Sequence, residues 1–86
     1  MAKYEKLIQK ILQGKSDANI RFEDLCNLLK YLGFEERVKG SHHIFRKKGI
    51  AEKINLQRDD GIAKPYQVKQ VRSTLLWYKL MGMHDV

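Results

Sequence analysis

Apolar residues at Tyr4, Leu7, Ile8, Ile11 and Leu12 recur at the spacing of one helix face, which predicts a helix over about residues 3–13. Lys3, Lys6 and Lys10 sit off that face, and Gly14 is a natural stop. The polar stretch 14–19 reads as a loop. Phe22, Leu25, Cys26, Leu29 and Leu32 repeat the pattern and predict a second helix from about Phe22 to Leu32. Glu23 and Asp24 lie in its first turn, where the helix dipole favours negative charge, and Gly33 ends it. The period then shortens. Phe34 and Val38 share one face of a predicted strand that runs to Lys39, Gly40-Ser41 is a turn, and His42 to Arg46 is a second strand rich in β-formers. Lys47 to Gly49 turns again, and Glu52 to Leu56 alternates so that Ile54 and Leu56 face inward. Pro65 suits the first turn of a last helix, where its missing N–H costs nothing. Val68, Val71, Leu75 and Tyr78 form the inward stripe of that helix, with Lys69, Arg72 and Lys79 on one flank and Trp77 pointing away. The order helix, helix, three strands, helix predicts an α+β fold with one antiparallel sheet and helices on one face.

With 86 residues the chain has room for one domain, and 43% hydrophobic residues are enough for a single core. That excludes two-domain cofactor enzymes, barrels and any site needing a deep, many-walled pocket. A lone cysteine, Cys26, permits no internal disulfide, and its place on an apolar stripe makes it a small buried hydrophobe. No apolar run approaches the roughly 18 residues of a membrane span. The N-terminus has polar residues too frequently for a secretory signal, so a cytoplasmic protein is expected. The formal net charge of +7 points to a polyanionic partner, most simply nucleic acid, although many small domains are basic without binding anything.

Most catalytic chemistries find no support. No CxxC or HxxxH pairing occurs, the acids are scattered, and adjacent strand residues such as His42 and His43 point to opposite faces, so they cannot share one ion. No metal and no other cofactor is expected. No phosphate-binding glycine loop is present, and Ser41 has no orienting acid placed for a serine triad.

What remains is the run Lys39-Gly40-Ser41-His42-His43-Ile44-Phe45-Arg46-Lys47-Lys48, two histidines among cations directly after a glycine turn. One reading is a solvated basic hairpin. The other is an RNA site, in which Gly40 lets the backbone approach, the Ser41 hydroxyl or N–H touches phosphate, and cations hold the chain. An imidazole titrates near neutral pH, and surrounding positive charge favours its uncharged form. It can then take the proton of a ribose 2′-hydroxyl, whose oxygen attacks the adjacent phosphorus and displaces the 5′-oxygen. No metal is needed, DNA is spared, and a lysine or arginine offsets the growing charge. Pattern alone does not choose between His42 and His43, because Ile44 and Phe45 are both apolar and either face of the strand could be the core face.

These residues resemble a known family. Gly40-Ser41-His42-His43-Ile44-Phe45, the following short strand, and the helix start Lys64-Pro65-Tyr66-Gln67-Val68-Lys69-Gln70-Val71-Arg72 look like the HicA family of bacterial toxins. The stretch Phe22 to Leu29 and Leu32-Gly33-Phe34 look like that family's first core helix and its run into the sheet. The resemblance covers about residues 20–80. It implies a double-stranded-RNA-binding-domain-like fold, helix–three strands–helix. It implies a metal-independent endoribonuclease that cuts mRNA and arrests translation, held inactive by a HicB-type antitoxin. It also implies that His42, the histidine of the glycine-serine-histidine element, is the catalytic one. Two features depart from the compact pattern. The helix over 3–13 precedes the usual core, where it could cap the sheet, mediate self-association or mark a longer subfamily. Arg21, just before Phe22, cannot cap a helix as serine would.

The alternatives are a non-catalytic RNA-binding module, in which Lys39, Arg46, Lys47, Lys48, Lys69 and Arg72 contact phosphate, and an interaction protein whose basic face docks an acidic partner. Bound RNA is shortened only in the catalytic case. Phe22, Phe34 and Tyr78 are expected to pack, Tyr66 and Trp77 to be exposed, and His84 to lie in a solvated tail.

Overall fold

A computed structural model describes residues 4–78; Lys3, Lys79 and His84 lie outside them. The elements are α1 (Glu5–Gln13), a 3-10 turn (Asp17–Asn19), α2 (Phe22–Tyr31), β1 (Glu35–Lys39), β2 (His42–Arg46), β3 (Ile54–Gln57) and α3 (Pro65–Tyr78). The expected α-α-β-β-β-α order of an α+β fold is found, with the 3-10 turn added inside the loop. The strands form one antiparallel sheet in the order β1-β2-β3.

Local signals place the helix ends. Gly14 adopts a left-handed conformation and closes α1. At the end of α2 the Gly33 N–H donates to Lys30 O and the Phe34 N–H to Leu29 O, the paired bonds of a Schellman motif, with Leu29 and Phe34 both buried. Arg21 makes no side-chain cap at the start of α2. The Phe22 N–H donates instead to Gly61 O, beside a bridge between Arg21 and Ile62 that ties the entry of α2 to the approach of α3. Gln67, fully buried, secures α3. Its Oε1 accepts the Lys64 N–H, as in a capping box, and its Nε2 donates to Gln57 O at the end of β3.

The core is one cluster. Phe45, Ile54 and Leu56 from the sheet pack with Phe22, Leu25, Leu28 and Leu29 of α2, Val68, Val71 and Leu75 of α3, and Ile8 and Ile11 of α1. Phe34 joins it, but Val38, expected on the same inward face, is exposed. Phe34 precedes β1 and is held by the α2 C-terminus, whereas Val38 lies near the far end of an edge strand. Tyr78 is only partly buried, and its hydroxyl donates to Glu52 rather than entering the stripe. Tyr66 and Trp77 are exposed as expected.

The N-terminal helix packs against α3. It neither caps the open face of the sheet nor stands apart, because Ile8 and Ile11 are buried in the common core. A partly buried charge cluster locks it. Arg72 of α3 donates from both terminal nitrogens to the Asp17 carboxylate, at 2.9 and 3.1 Å, and from Nη1 to Ile11 O at 3.0 Å. One guanidinium thus pairs with an acid and neutralises the negative end of α1. Among the described residues no helix is long and apolar enough to cross a membrane.

Replacing Arg72 by alanine leaves Asp17 and the Ile11 carbonyl without their partner. The expected loss is about 1.5–3 kcal/mol of folding stability, read from urea denaturation. An unchanged midpoint would show that the cluster contributes nothing to the fold.

Candidate nucleic-acid interface

Strand alternation sorts the basic hairpin into two faces. Phe45 has no exposed surface, so it and His43 face the helices, and His42, Ile44 and Arg46 face the other way. The register completes this open face. Arg46 lies opposite Glu35, Ile44 lies between Arg37 and Asn55, and His42 lies between Lys39 and Gln57. Gly40 has φ +63° and Ser41 does not share the positive sign, as a type II′ hairpin turn requires. No heavy atom stands within 4 Å of where a Gly40 side chain would begin, so the backbone there is open to a ligand. The Ser41 carbonyl accepts the Arg58 N–H at 2.8 Å, which extends the β2–β3 ladder beneath the turn.

His42 is exposed, and its Nδ1 lies 3.4 Å from Asn55 Oδ1. A carbonyl oxygen only accepts, so in this contact Nδ1 is the donor and Nε2 is the other ring nitrogen of the exposed imidazole. Asn55 was not singled out by the sequence reading. It is the diagonal neighbour of His42 across β2 and β3, and that placement requires the register. Beside His42 a shallow concavity of about 530 Å³ is lined by Arg37, Lys39, Arg46 and Lys53 together with Glu35 and Ile44. His42 is not part of its lining. The cations and the imidazole lie on one open face of the sheet.

The structure brings together Lys39, Gly40, Ser41, His42 and Arg46, and adds Arg37 and Lys53. Lys48 is exposed in the turn after β2. The other three basic residues expected at phosphate stand elsewhere. Lys47 turns toward the end of α2, where its Nζ lies 2.6 Å from where a Gly33 Cβ would be. Lys69 is exposed on α3, in the layer that covers the opposite face of the sheet. Arg72, expected on an accessible flank, is taken up by Asp17 and Ile11. Helical spacing reports a direction and not what the side chain meets there, which accounts for the difference.

His43 has a different environment. Its side chain is 14% exposed, it stands edge-on to Phe22 at 5.1 Å between ring centroids, and its Nδ1–H donates to Glu36 Oε2 at 2.6 Å. Arg58 covers Phe22 at 4.9 Å. Glu36 also meets Lys30 at 3.4 Å. Burial works to raise the Glu36 carboxyl, but the hydrogen bonds from His43 and Lys30 outweigh it and hold the group below its ordinary value. Burial, with the Glu36 charge, pushes the Cys26 thiol up to about 12, so it is not a nucleophile at neutral pH.

The described residues thus make a small α+β protein in which a helix–three-strand–helix core carries a cationic open sheet with a solvent-facing histidine. The family model for the HicA toxin of bacterial toxin-antitoxin systems matches residues 22–77, from the first residue of α2 to near the end of α3, and the chain belongs to that family. It is therefore a toxin-antitoxin toxin with a cognate antitoxin as partner. Neither the curated proteins nor the solved structures searched yield a match.

A carboxyl whose folded-state value is depressed contributes stability that is present above its ordinary value, 4.5, and lost as pH falls through the folded value. Wild-type stability is therefore expected to fall more steeply below about pH 4.5 than that of Glu36→Gln, which has no carboxyl to protonate. Urea midpoints of the two proteins measured across that range test this, and parallel pH profiles would refute it.

Proposed function

We propose that the chain is a metal-independent endoribonuclease that cuts mRNA and so inhibits translation, with His42 as general base. The observation that carries this reading is the exposed His42 imidazole in a family toxin, held through Nδ1 by Asn55 on the open sheet face that also carries Lys39, Arg37 and Arg46. RNA lies across the open face with phosphates on those cations, on Lys53 and on Lys48, while the Gly40-Ser41 turn admits the backbone closely. Nε2 of His42 accepts the 2′-hydroxyl proton. The 2′-oxygen bonds to the adjacent phosphorus, the bond to the 5′-oxygen breaks, and that oxygen takes a proton from water or from the imidazolium. The products are a 2′,3′-cyclic phosphate and a 5′-hydroxyl. Charge growing on the phosphate is offset by the surrounding lysines and arginines. Lys47, Lys69 and Arg72 have no part on this face.

The partner in this reading is a HicB-type antitoxin, which silences the toxin by covering His42 and presenting acidic side chains to the cationic face. The site of action is the cytoplasm, where mRNA is translated.

His42→Ala is expected to fold normally, because the side chain is exposed, and to lose cleavage of labelled RNA by about 10²–10⁴-fold together with growth arrest. EDTA is expected to leave wild-type cleavage intact. Wild-type-like cleavage by the variant would refute the role of His42. RNA that is bound but never shortened by the wild-type protein would make the chain a binding module instead.

A further inference from the structure

His43 plays no part in the chemistry above, and its surroundings make a second site. A ring nitrogen of His43, a Glu36 carboxylate oxygen and the Cys26 Sγ all lie within 4.8 Å of one another. Spacing along the chain conceals this cluster, because the three residues come from β2, β1 and α2. We propose that Cys26, Glu36 and His43 form a zinc-binding site on the helix-covered side of the sheet, separate from the His42 face and independent of the nuclease reading.

The donor set argues for zinc. One thiolate, one imidazole nitrogen and one carboxylate oxygen suit a tetrahedral Zn²⁺ with water in the fourth position, whereas Mg²⁺ and Ca²⁺ take oxygen donors. Charge argues for it as well. A thiolate and a carboxylate together neutralise the ion, which a cationic protein would otherwise repel. Lys30, the cation nearest Glu36, is about half exposed (49%) and free to swing into solvent. Glu36 and His43 retain 16% and 14% exposure, which leaves a route for the ion and its water.

The His43–Glu36 hydrogen bond of 2.6 Å already holds the imidazole and the carboxylate side by side. On binding, Zn–N and Zn–O bonds form, the imidazole keeps its proton on the ring nitrogen that does not hold the ion, and the thiol proton passes to water as the Zn–S bond forms. No electron is transferred. The ion would join α2 to both strands of the β1–β2 hairpin, at His43, the residue next to the general base.

The test uses the full-length protein freed of metal. One equivalent of Co²⁺ is expected to produce a thiolate-to-cobalt charge-transfer band in the near ultraviolet and the visible bands of a tetrahedral ion, both displaced by Zn²⁺. One equivalent of Zn²⁺ is expected to raise the melting temperature. Glu36→Gln is expected to weaken binding by at least about tenfold. Cys26→Ser, chosen over alanine to keep the volume, is expected to abolish the charge-transfer band. His42→Ala is expected to bind as wild type does. Absence of the thiolate band at equimolar Co²⁺ in the folded protein would overturn the proposal. So would binding that survives unchanged in Glu36→Gln, or binding lost in His42→Ala. Because RNA cleavage is read separately and in EDTA, neither result bears on the other.

Discussion

Phe45, Ile54 and Leu56 have no exposed surface, and their burial against α2 and α3 governs everything else in the sheet. Side chains alternate along a strand, so seating Phe45 in the core turns His43 inward with it and sends His42, Ile44 and Arg46 outward. A slip of one residue would reverse every assignment. It would place an imidazole meant for solvent under the helices and leave a phenylalanine in water. The cationic face therefore depends on an apolar constraint on its far side.

The helical layer that imposes this constraint is held by polar groups at the helix ends as much as by apolar contact. Arg72 joins α3 to the carbonyl end of α1 and to Asp17. Gln67 joins the first turn of α3 to Gln57, the cross-strand neighbour of His42. The Arg21–Ile62 bridge joins the entry of α2 to the approach of α3. Each satisfies backbone or charged groups that would otherwise be buried without partners. Of the three, the Gln67 bond reaches the strand end that faces His42.

Two neighbouring histidines illustrate how little residue type decides. His42 stands in solvent on a cationic face, with its Nδ1 beside Asn55 Oδ1. His43 stands against Phe22, bonded to a carboxylate and close to a thiol. One environment suits proton transfer to and from a bound polyanion. The other suits a structural bond or a soft cation. In the proposed nuclease the first must be accessible yet coverable by the antitoxin, and a flat basic face meets both needs without a deep pocket.

Much of the fold was legible in the sequence, because helices and half-buried strands advertise their periods. The stripes of α1, α2 and α3, the alternation of Ile54 and Leu56, Pro65 at the start of α3 and glycine at the hairpin turn follow from local stereochemistry, which a chain carries wherever it goes. The exposure of Tyr66 and Trp77 was legible for the same reason. The inward face of β2 was not, since Ile44 and Phe45 are equally apolar and only packing against the helices separates them. Nor was the fate of Arg72, whose partner Asp17 lies 55 residues away, or the meeting of Cys26, Glu36 and His43 across three elements. Periodicity describes each segment against its own axis. Which side chains meet is decided by how the segments lie against one another, and that depends on the whole core at once.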